Sequence, residues 1–311
     1  MEDKNWTAEV RREMKEYFVM DVGGTELKYG LLNQSGRLVS QVRKRPSKSK
    51  ESKAVIMDNF QSVIAEMAKE SHGKLEGFAF AFPGEFDYEN GISKITGLDK
   101  YEEIYNLNLR TEFQKMICSE PICGFCRDPE AAPVVFINDV EAFARGVAEP
   151  GEKLMALVIG TGAGSAFIED NRAAEKGKNG VPQNGMIYNQ PFYGKQIDDW
   201  ISKRGLMELS RWRLGMELDG KELAELLAKG NDLAKEVYWD FGEYVMEAVM
   251  PYLLEFQPDV LVLGGQIMKS FPLFGEEIKR QCKRFRIRLQ VETRTSELTF
   301  VGLYKTFFRE N

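Results

Sequence analysis

Two carboxylates in this chain stand where apolar runs end. Asp21 lies in VMDVGGTELKYGLL, residues 19–32, directly before Gly23, Gly24 and Thr25, and Asp139 follows Asn138 after the run PVVFI. Glycine at a strand end lets the backbone take positive φ and approach a ligand, and successive exposed amides make a concave donor site for an anion, most often a phosphate. A hydroxyl such as Thr25 adds a donor. A carboxylate beside that turn repels a bare phosphate, yet it suits a phosphate carrying Mg²⁺, which combines carboxylate, water and phosphate oxygens. The pattern therefore fits a metal-nucleotide site, and it also fits a tight hairpin with Asp21 as turn former. The device recurs in LMALVIGTGAGSAFI, residues 154–168, through Gly160, Thr161, Gly162 and Gly164, and VLVLGG ends in Gly264 and Gly265. That recurrence favours the nucleotide reading. Asp139 reads two ways as well, as a base placed at a strand's end or as a cap for the helix begun by EAFARGV.

The elements that must hold these residues follow from periodicity. The opening strand pair, the turn NQSGR and a third strand, LVSQVRK, read as an antiparallel meander. Ile56, Phe60, Val63, Ile64 and Met67 share one helical face, and EGFAFAF is a buried strand ended by Pro83 and Gly84. The second half repeats the order: two strands, a Gly- and Asn-rich stretch, helices from about 197 to 256, the strand VLVLGG, a basic helix near 275–285, a last strand RIRLQVE and a short terminal helix. Strands alternating with helices in both halves argue for an α/β protein with sheets covered by helices.

Composition bounds the function class. A chain of 311 residues suffices for about two domains, and 43% hydrophobic with 29% charged residues is a globular balance. No apolar run reaches the ~20 residues of a membrane-spanning helix. The opening MEDKNWTAEVRREMKEYF lacks the apolar core of a signal peptide, so a cytoplasmic protein is expected. The four cysteines are then expected as reduced thiols, and a net charge of −6 disfavours nucleic acid as a partner. The basic run RKRPSKSKESK, residues 43–53, reads as a solvated loop leading into a helix. Cys123 and Cys126 form C-x-x-C near Cys118, but with no second pair and His72 as the single histidine, neither a zinc site nor a Ser-His-Asp hydrolase is favoured.

DVGGT, FPG at 82–84 with Asp87 after it, IND at 137–139, IGTGAG at 159–164 and VLGG at 262–265 occur in the order seen in the ROK-family sugar kinases, which the chain resembles over about residues 17–310. The resemblance implies two ribonuclease H-like domains of the actin-like ATPase class with a cleft between them. Domains are expected at 1–137, completed by a C-terminal helix at 297–311, and at 138–296. It implies ATP-dependent phosphorylation of a sugar hydroxyl, hexose or amino sugar, with Asp139 as the general base. Asp21 would hold the Mg²⁺-phosphate, the turns Gly23–Thr25 and Gly160–Gly162 would touch the ATP phosphates, and Gly264 and Gly265 would border the adenosine. Gly84, Asn138, Asn189 and Asp198 fall on the sugar side. Some family members are repressors with an added DNA-binding domain; only about 16 residues precede the first strand here, so that branch is not expected. A homodimer is compatible with the family, and neither nucleic acid nor membrane is expected as a partner.

The substrate loop departs from the family pattern. Where the family carries G-E-x-G-H, this chain has Gly185, Met186, Ile187, Tyr188 and Asn189, and the zinc-binding cysteine cluster that should follow is replaced by a short loop before Asp198. No zinc is expected. Hydrogen bonds to charged groups are worth roughly 1.5–3 kcal/mol each, so losing the Glu and His weakens a usual hexose by about 10²- to 10⁴-fold unless other groups compensate. The alternative is a sugar or nucleotide sensor on the same fold.

Overall fold

The computed structural model of the chain describes residues 14–308. The charged N-terminal stretch up to residue 13 and the last three residues of the expected terminal helix lie outside the described residues. The chain divides into two units, residues up to Gly146 with those from Ser296 onward, and Val147–Thr295.

In the first unit β1 (Lys15–Val22), β2 (Glu26–Asn33) and β3 (Arg43–Pro46) form an antiparallel meander. β4 (Lys74–Phe82) and β7 (Val134–Asn138) join parallel to β1, giving the order β3-β2-β1-β4-β7. A separate small hairpin pairs β5 (Phe86–Asp87) with β6 (Ile92–Ser93). Side chains alternate across a strand, and the sequence uses that alternation for size. Phe18, Met20, Phe78, Phe80 and Phe82 fill one face with Phe60 of α1 (Lys53–Glu70) and Phe113 of α2 (Leu109–Ile117). Val19, Ala79 and Ala81 line the other, where α3 (Asp139–Val147) and the C-terminal helix (Thr295–Lys305) pack.

Small residues on that second face let the two helices approach closely. A methyl group on Gly302 would lie 1.7 Å from the Ala142 carbonyl oxygen, and one on Gly146 would lie 1.9 Å from that of Leu298. This contact binds α3 to the first unit, so the division falls after Gly146 instead of at 137/138, and Asp139 stands with Asp21 in one unit.

The second unit repeats the order as β10-β9-β8-β13-β14. β8 (Leu154–Ile159) pairs antiparallel with β9 (Ala163–Glu169), which pairs with β10 (Arg172–Ala173), while β13 (Val260–Gly264) and β14 (Arg288–Val291) run parallel to β8. A second small hairpin joins β11 (Pro191–Phe192) to β12 (Lys195–Gln196). The helices are α4 (Ile197–Trp200), α5 (Lys203–Leu214), α6 (Gly220–Ala228), α7 (Asp232–Phe256), α8 (Phe271–Phe274) and α9 (Glu276–Arg284). Phe241, Val245, Val249 and Phe256 of α7 pack with Met155, Leu157 and Leu261 of the sheet. Among the described residues no helix is long and apolar enough to cross a membrane.

Two local expectations are corrected. The third strand is Arg43–Pro46, not LVSQVRK: Leu38 makes only an isolated bridge to Leu32, and Ser40 Oγ caps the Leu31 amide at 2.9 Å where a ladder would otherwise continue. The basic run is therefore not a free loop. Arg43 and Arg45 pair with Glu66 of α1, and Ser47 and Ser49 are buried.

Candidate active site

Ligands of twisted parallel sheets gather at the carboxyl ends of the strands, because the loops diverge there. In the first unit β1 ends at Asp21 and its turn, β4 runs into Gly84, and β7 ends at Asn138. By alternation Asp21 leaves the sheet on the side of Val19, the side that carries α3, whose first residue is Asp139.

The β1–β2 turn is held from behind by its carbonyls. Tyr101 Oη donates to the Gly23 oxygen at 2.9 Å, Ser47 Oγ and Ser49 Oγ both donate to the Gly24 oxygen at 2.6 and 2.5 Å, and the Ser47 amide donates to Thr25 at 2.9 Å. Ser47 is itself set by α1, where buried Asn59 donates to the carbonyls of Pro46 and Ser47 at 3.0 and 3.1 Å. The Gly23 amide closes the hairpin onto Glu26, whereas the amides of Gly24 and Thr25 have no acceptor among the described residues. With its carbonyls engaged from behind, the turn presents two open amides as donors. The expected positive φ is absent: neither Gly23 nor Gly24 adopts it. Crowding calls for glycine at Gly23, where a methyl group would lie 2.6 Å from the Glu26 carbonyl oxygen, and at Gly24 a methyl group would lie 2.8 Å from Lys100 Cδ and displace that side chain.

Asp21 faces Lys28 across the β1–β2 ladder with Nζ 3.7 Å away, and that ammonium also donates to Ser296 Oγ at 3.0 Å. Burial pushes the Asp21 carboxyl up to about 6, against the pull of Lys28 and with help from the charge of Asp139. Asp139 is raised for the same reason, burial, partly offset by the Val140 amide at 3.0 Å and by the charge of Lys100. No lysine or arginine lies within ion-pair distance of Asp139 among the described residues. Its sequence neighbour does the capping: Asn138 Oδ1 accepts from the amides of Val140 and Glu141 at 2.9 and 3.1 Å, and Asn138 Nδ2 donates to Tyr88 Oη. The helix therefore starts without using Asp139 as its cap. Gly84 takes φ +78°, and its carbonyl accepts from Tyr88 Oη at 3.3 Å. Asp87 is a turn former, with both oxygens bonded to Asn90.

The second unit gathers Gly160, Thr161, Gly162, Gly264, Gly265 and Asp198. Thr161 and Gly162 are exposed in the β8–β9 turn, whose Gly160 carbonyl accepts from the Lys203 amide at 2.9 Å. Gly265 adopts φ +102° and a methyl group there would lie 2.1 Å from the Ile159 carbonyl oxygen, so it lets the ends of β8 and β13 close together. Asp198 Oδ1 accepts from the Ala163 amide at 2.5 Å and Oδ2 pairs with Arg204. Both of its oxygens are thus engaged, one at the turn and one with α5. Asn189 is exposed and accepts from Asn184 and Gln190, each at 3.1 Å.

A single carboxylate with water and phosphate oxygens is an ordinary Mg²⁺ environment, and Asp21 fits it: its one ionic partner stands at 3.7 Å, beyond a close hydrogen bond. Among the described residues no three His, Cys, Asp or Glu side chains converge as metal ligands, and the four cysteines are free thiols. A cavity of about 400 Å³ lined by Lys69, Glu70, Ser71 and His72 lies at the opposite ends of β1 and β4 and includes none of these residues. Ser47, Ser49, Tyr101, Lys28 and Lys100 are the members of the site that sequence reasoning missed. The alternating S-K-S-K after Pro46 was a period-two signal for the first two.

Comparison with known proteins agrees with this architecture. The ROK family model matches residues 17–298. The N-acetyl-D-glucosamine kinase of Haemophilus influenzae is 23% identical over 275 residues, 80% of this chain and 83% of that one. The DNA-binding transcriptional repressor Mlc of Escherichia coli is 21% identical over 302 residues, 88% of this chain and 70% of that one. The ROK family glucokinase of Streptomyces griseus, solved in complex with glucose and AMPPNP, matches with a TM-score of 0.68 at 16% identity, over 94% of this chain and 98% of that one. With a family match across most of its length and an actin-like ATPase fold stated twice along the chain, this protein belongs to the ROK family.

Proposed function

We propose that the protein is an ATP-dependent sugar kinase whose chemistry is carried by the first unit. The observation that carries the reading is the grouping at the strand ends there: a turn with two open amides, Asp21 beside it and Asp139 at the start of α3. The amides of Gly24 and Thr25 bind phosphate oxygens. Asp21 holds Mg²⁺, which when bound neutralises charge on the phosphates. Asp139 takes the proton of a sugar hydroxyl as its oxygen bonds to the γ-phosphorus, and the bond to the β–γ bridging oxygen breaks with its electron pair leaving on ADP. A raised carboxyl suits that base, because it binds the proton more strongly than an exposed aspartate. The remaining Nδ2 proton of Asn138 is available to a sugar oxygen. By the family resemblance Gly160–Gly162 and Gly264–Gly265 are nucleotide-binding turns of the second unit.

The acceptor is expected to differ from plain glucose. Met186 stands in place of a carboxylate, Asn189 is engaged with Asn184 and Gln190, and Asp198 is neutralised by Arg204, so the substrate loop presents no free charge to sugar hydroxyls. No zinc is expected there. Mass spectrometry of the products after incubation with Mg²⁺-ATP and a panel of hexoses, amino sugars and N-acetylated sugars tests the proposal; a monophosphate of at least one is expected, and none across the panel counts against it. The same neutral loop, together with the likeness to a repressor, supports a second reading as a non-catalytic sensor. Sugar binding by calorimetry without turnover, unaltered by Asp139→Asn, favours that one.

A further inference from the structure

Lys100 has no place in the scheme above, yet its position is fixed more firmly than a surface lysine requires. Its stem lies against Gly24, the residue with an open amide, so closely that a single methyl group there would collide with Cδ. One neighbour, Tyr101, is tied to the same turn, and the other, Asp99, is held within its own loop. Tyr101 donates its amide to Ser49 at 2.6 Å and its hydroxyl to Gly23 at 2.9 Å, and Asp99 donates its amide to Glu102 Oε1 at 2.9 Å and pairs with Lys50. Asp99 and Tyr101 both adopt left-handed backbone, φ +53° and +58°, which non-glycine residues rarely do and which persists where surrounding contacts enforce it. The backbone is thus held in an unfavourable shape on either side of one lysine.

The charge of that lysine is uncommitted. Lys28 is balanced by Asp21 and Lys44 by Glu26, whereas Lys100 has no carboxylate within ion-pair distance among the described residues. It is partly buried, and its field reaches Asp139 from the turn side. A cation with its stem on the phosphate turn and its field on the base meets a group passing from one to the other. We infer that Lys100 is a catalytic residue whose ammonium binds the γ-phosphoryl group above the open amides of Gly24 and Thr25. As the bond to the β–γ oxygen breaks and the bond to the acceptor oxygen forms, the transferring oxygens keep their negative charge, and a fixed ammonium beside them stabilises that arrangement.

The inference rests on the kinase reading for its rate arm only; its binding arm needs no turnover. Lys100→Met keeps the stem that packs on Gly24 and removes the charge, and Lys100→Arg keeps the charge. By calorimetry with Mg²⁺, the wild type is expected to bind AMPPNP more tightly than ADP. Lys100→Met is expected to lose about ten- to a hundredfold in AMPPNP affinity, the range for one charged hydrogen bond, with ADP affinity changed less than about threefold. Lys100→Arg should restore most of the difference. If Lys100→Met weakens both nucleotides equally, or neither, the assignment is overturned. With an accepted sugar, Lys100→Met should lower kcat at least about tenfold and leave the KM for sugar nearly unchanged. A wild type with no sugar turnover defeats the kinase reading, while the AMPPNP and ADP comparison still decides Lys100.

Discussion

The two units use one strand order and one strand-turn-strand device, and they finish it differently. In the first, the carbonyls of the β1–β2 turn are clamped by Ser47, Ser49 and Tyr101, the amides of Gly24 and Thr25 stay open, and two carboxylates raised by burial stand nearby. In the second, the β8–β9 turn is exposed, its Ala163 amide is satisfied by Asp198, and that carboxylate is neutralised by Arg204. One glycine-threonine turn is clamped from behind and lined with buried carboxylates; the other is exposed and tied by Asp198, a side chain of α4 that lies 35 residues along the chain.

The contrast breaks most sharply at Asp139. Asp139→Asn should cut kcat by roughly 10²- to 10⁴-fold, the usual worth of a general base, with AMPPNP binding little changed; steady-state rates beside calorimetry check it. In the wild type the rate should fall as pH falls through a limb lying above the ordinary aspartate range, because a raised carboxyl loses its basic form earlier on acidification.

Asp21 gives the next largest effect, and its sign is opposite for stability and activity. The folded carboxyl titrates at about 6 against 3.8 for the ordinary group. Above pH 6 both folded and unfolded forms are ionised, and the folded one bears the full burial cost; below about pH 4 both are protonated and the cost is gone. Asp21→Asn should therefore stabilise the fold at pH 7 by up to about 3 kcal/mol while Mg²⁺-ATP turnover is lost. Thermal melts at pH 7 and pH 3.5 check the sign: the gain should disappear at the lower pH.

Smaller effects separate the turns themselves. Replacing Ser47 and Ser49 together by alanine removes both donors to the Gly24 carbonyl, and about tenfold weaker AMPPNP binding is expected from one to two lost hydrogen bonds of roughly 0.5–1.5 kcal/mol. Asp198→Ala unties the second turn and should raise the KM for ATP only severalfold, with kcat nearly intact. A large kcat loss from Asp198→Ala would erase the distinction between the two turns.

Much of this was legible in the sequence because it is local. The turn at Asp21, the strand ends at Gly84 and Asn138, the Phe-Ala alternation of EGFAFAF and the helix face of Ile56, Phe60 and Val63 all lie within short windows where a period of two or 3.6 can be read. The clamp was not local. Ser47, Ser49 and Tyr101 reach the turn from 23, 25 and 78 residues away, and no periodicity links those distances. At Gly23 and Gly24 the sequence suggests positive φ, which neither adopts; what each stands against, the Glu26 carbonyl and the Lys100 stem, is a tertiary fact. The third strand was placed early because Leu38 and Val42 look like strand residues, while Arg43 and Arg45 pair with Glu66 across a helix that sequence spacing does not position.

The account turns on whether the first unit transfers a phosphoryl group or only binds its ligands. Measuring sugar binding by calorimetry with AMPPNP, and ADP release from ATP with the same sugar in the same preparation, answers this directly. The account predicts a binding isotherm accompanied by sugar-stimulated ADP release. A clear isotherm with no ADP release above the sugar-free rate would contradict it.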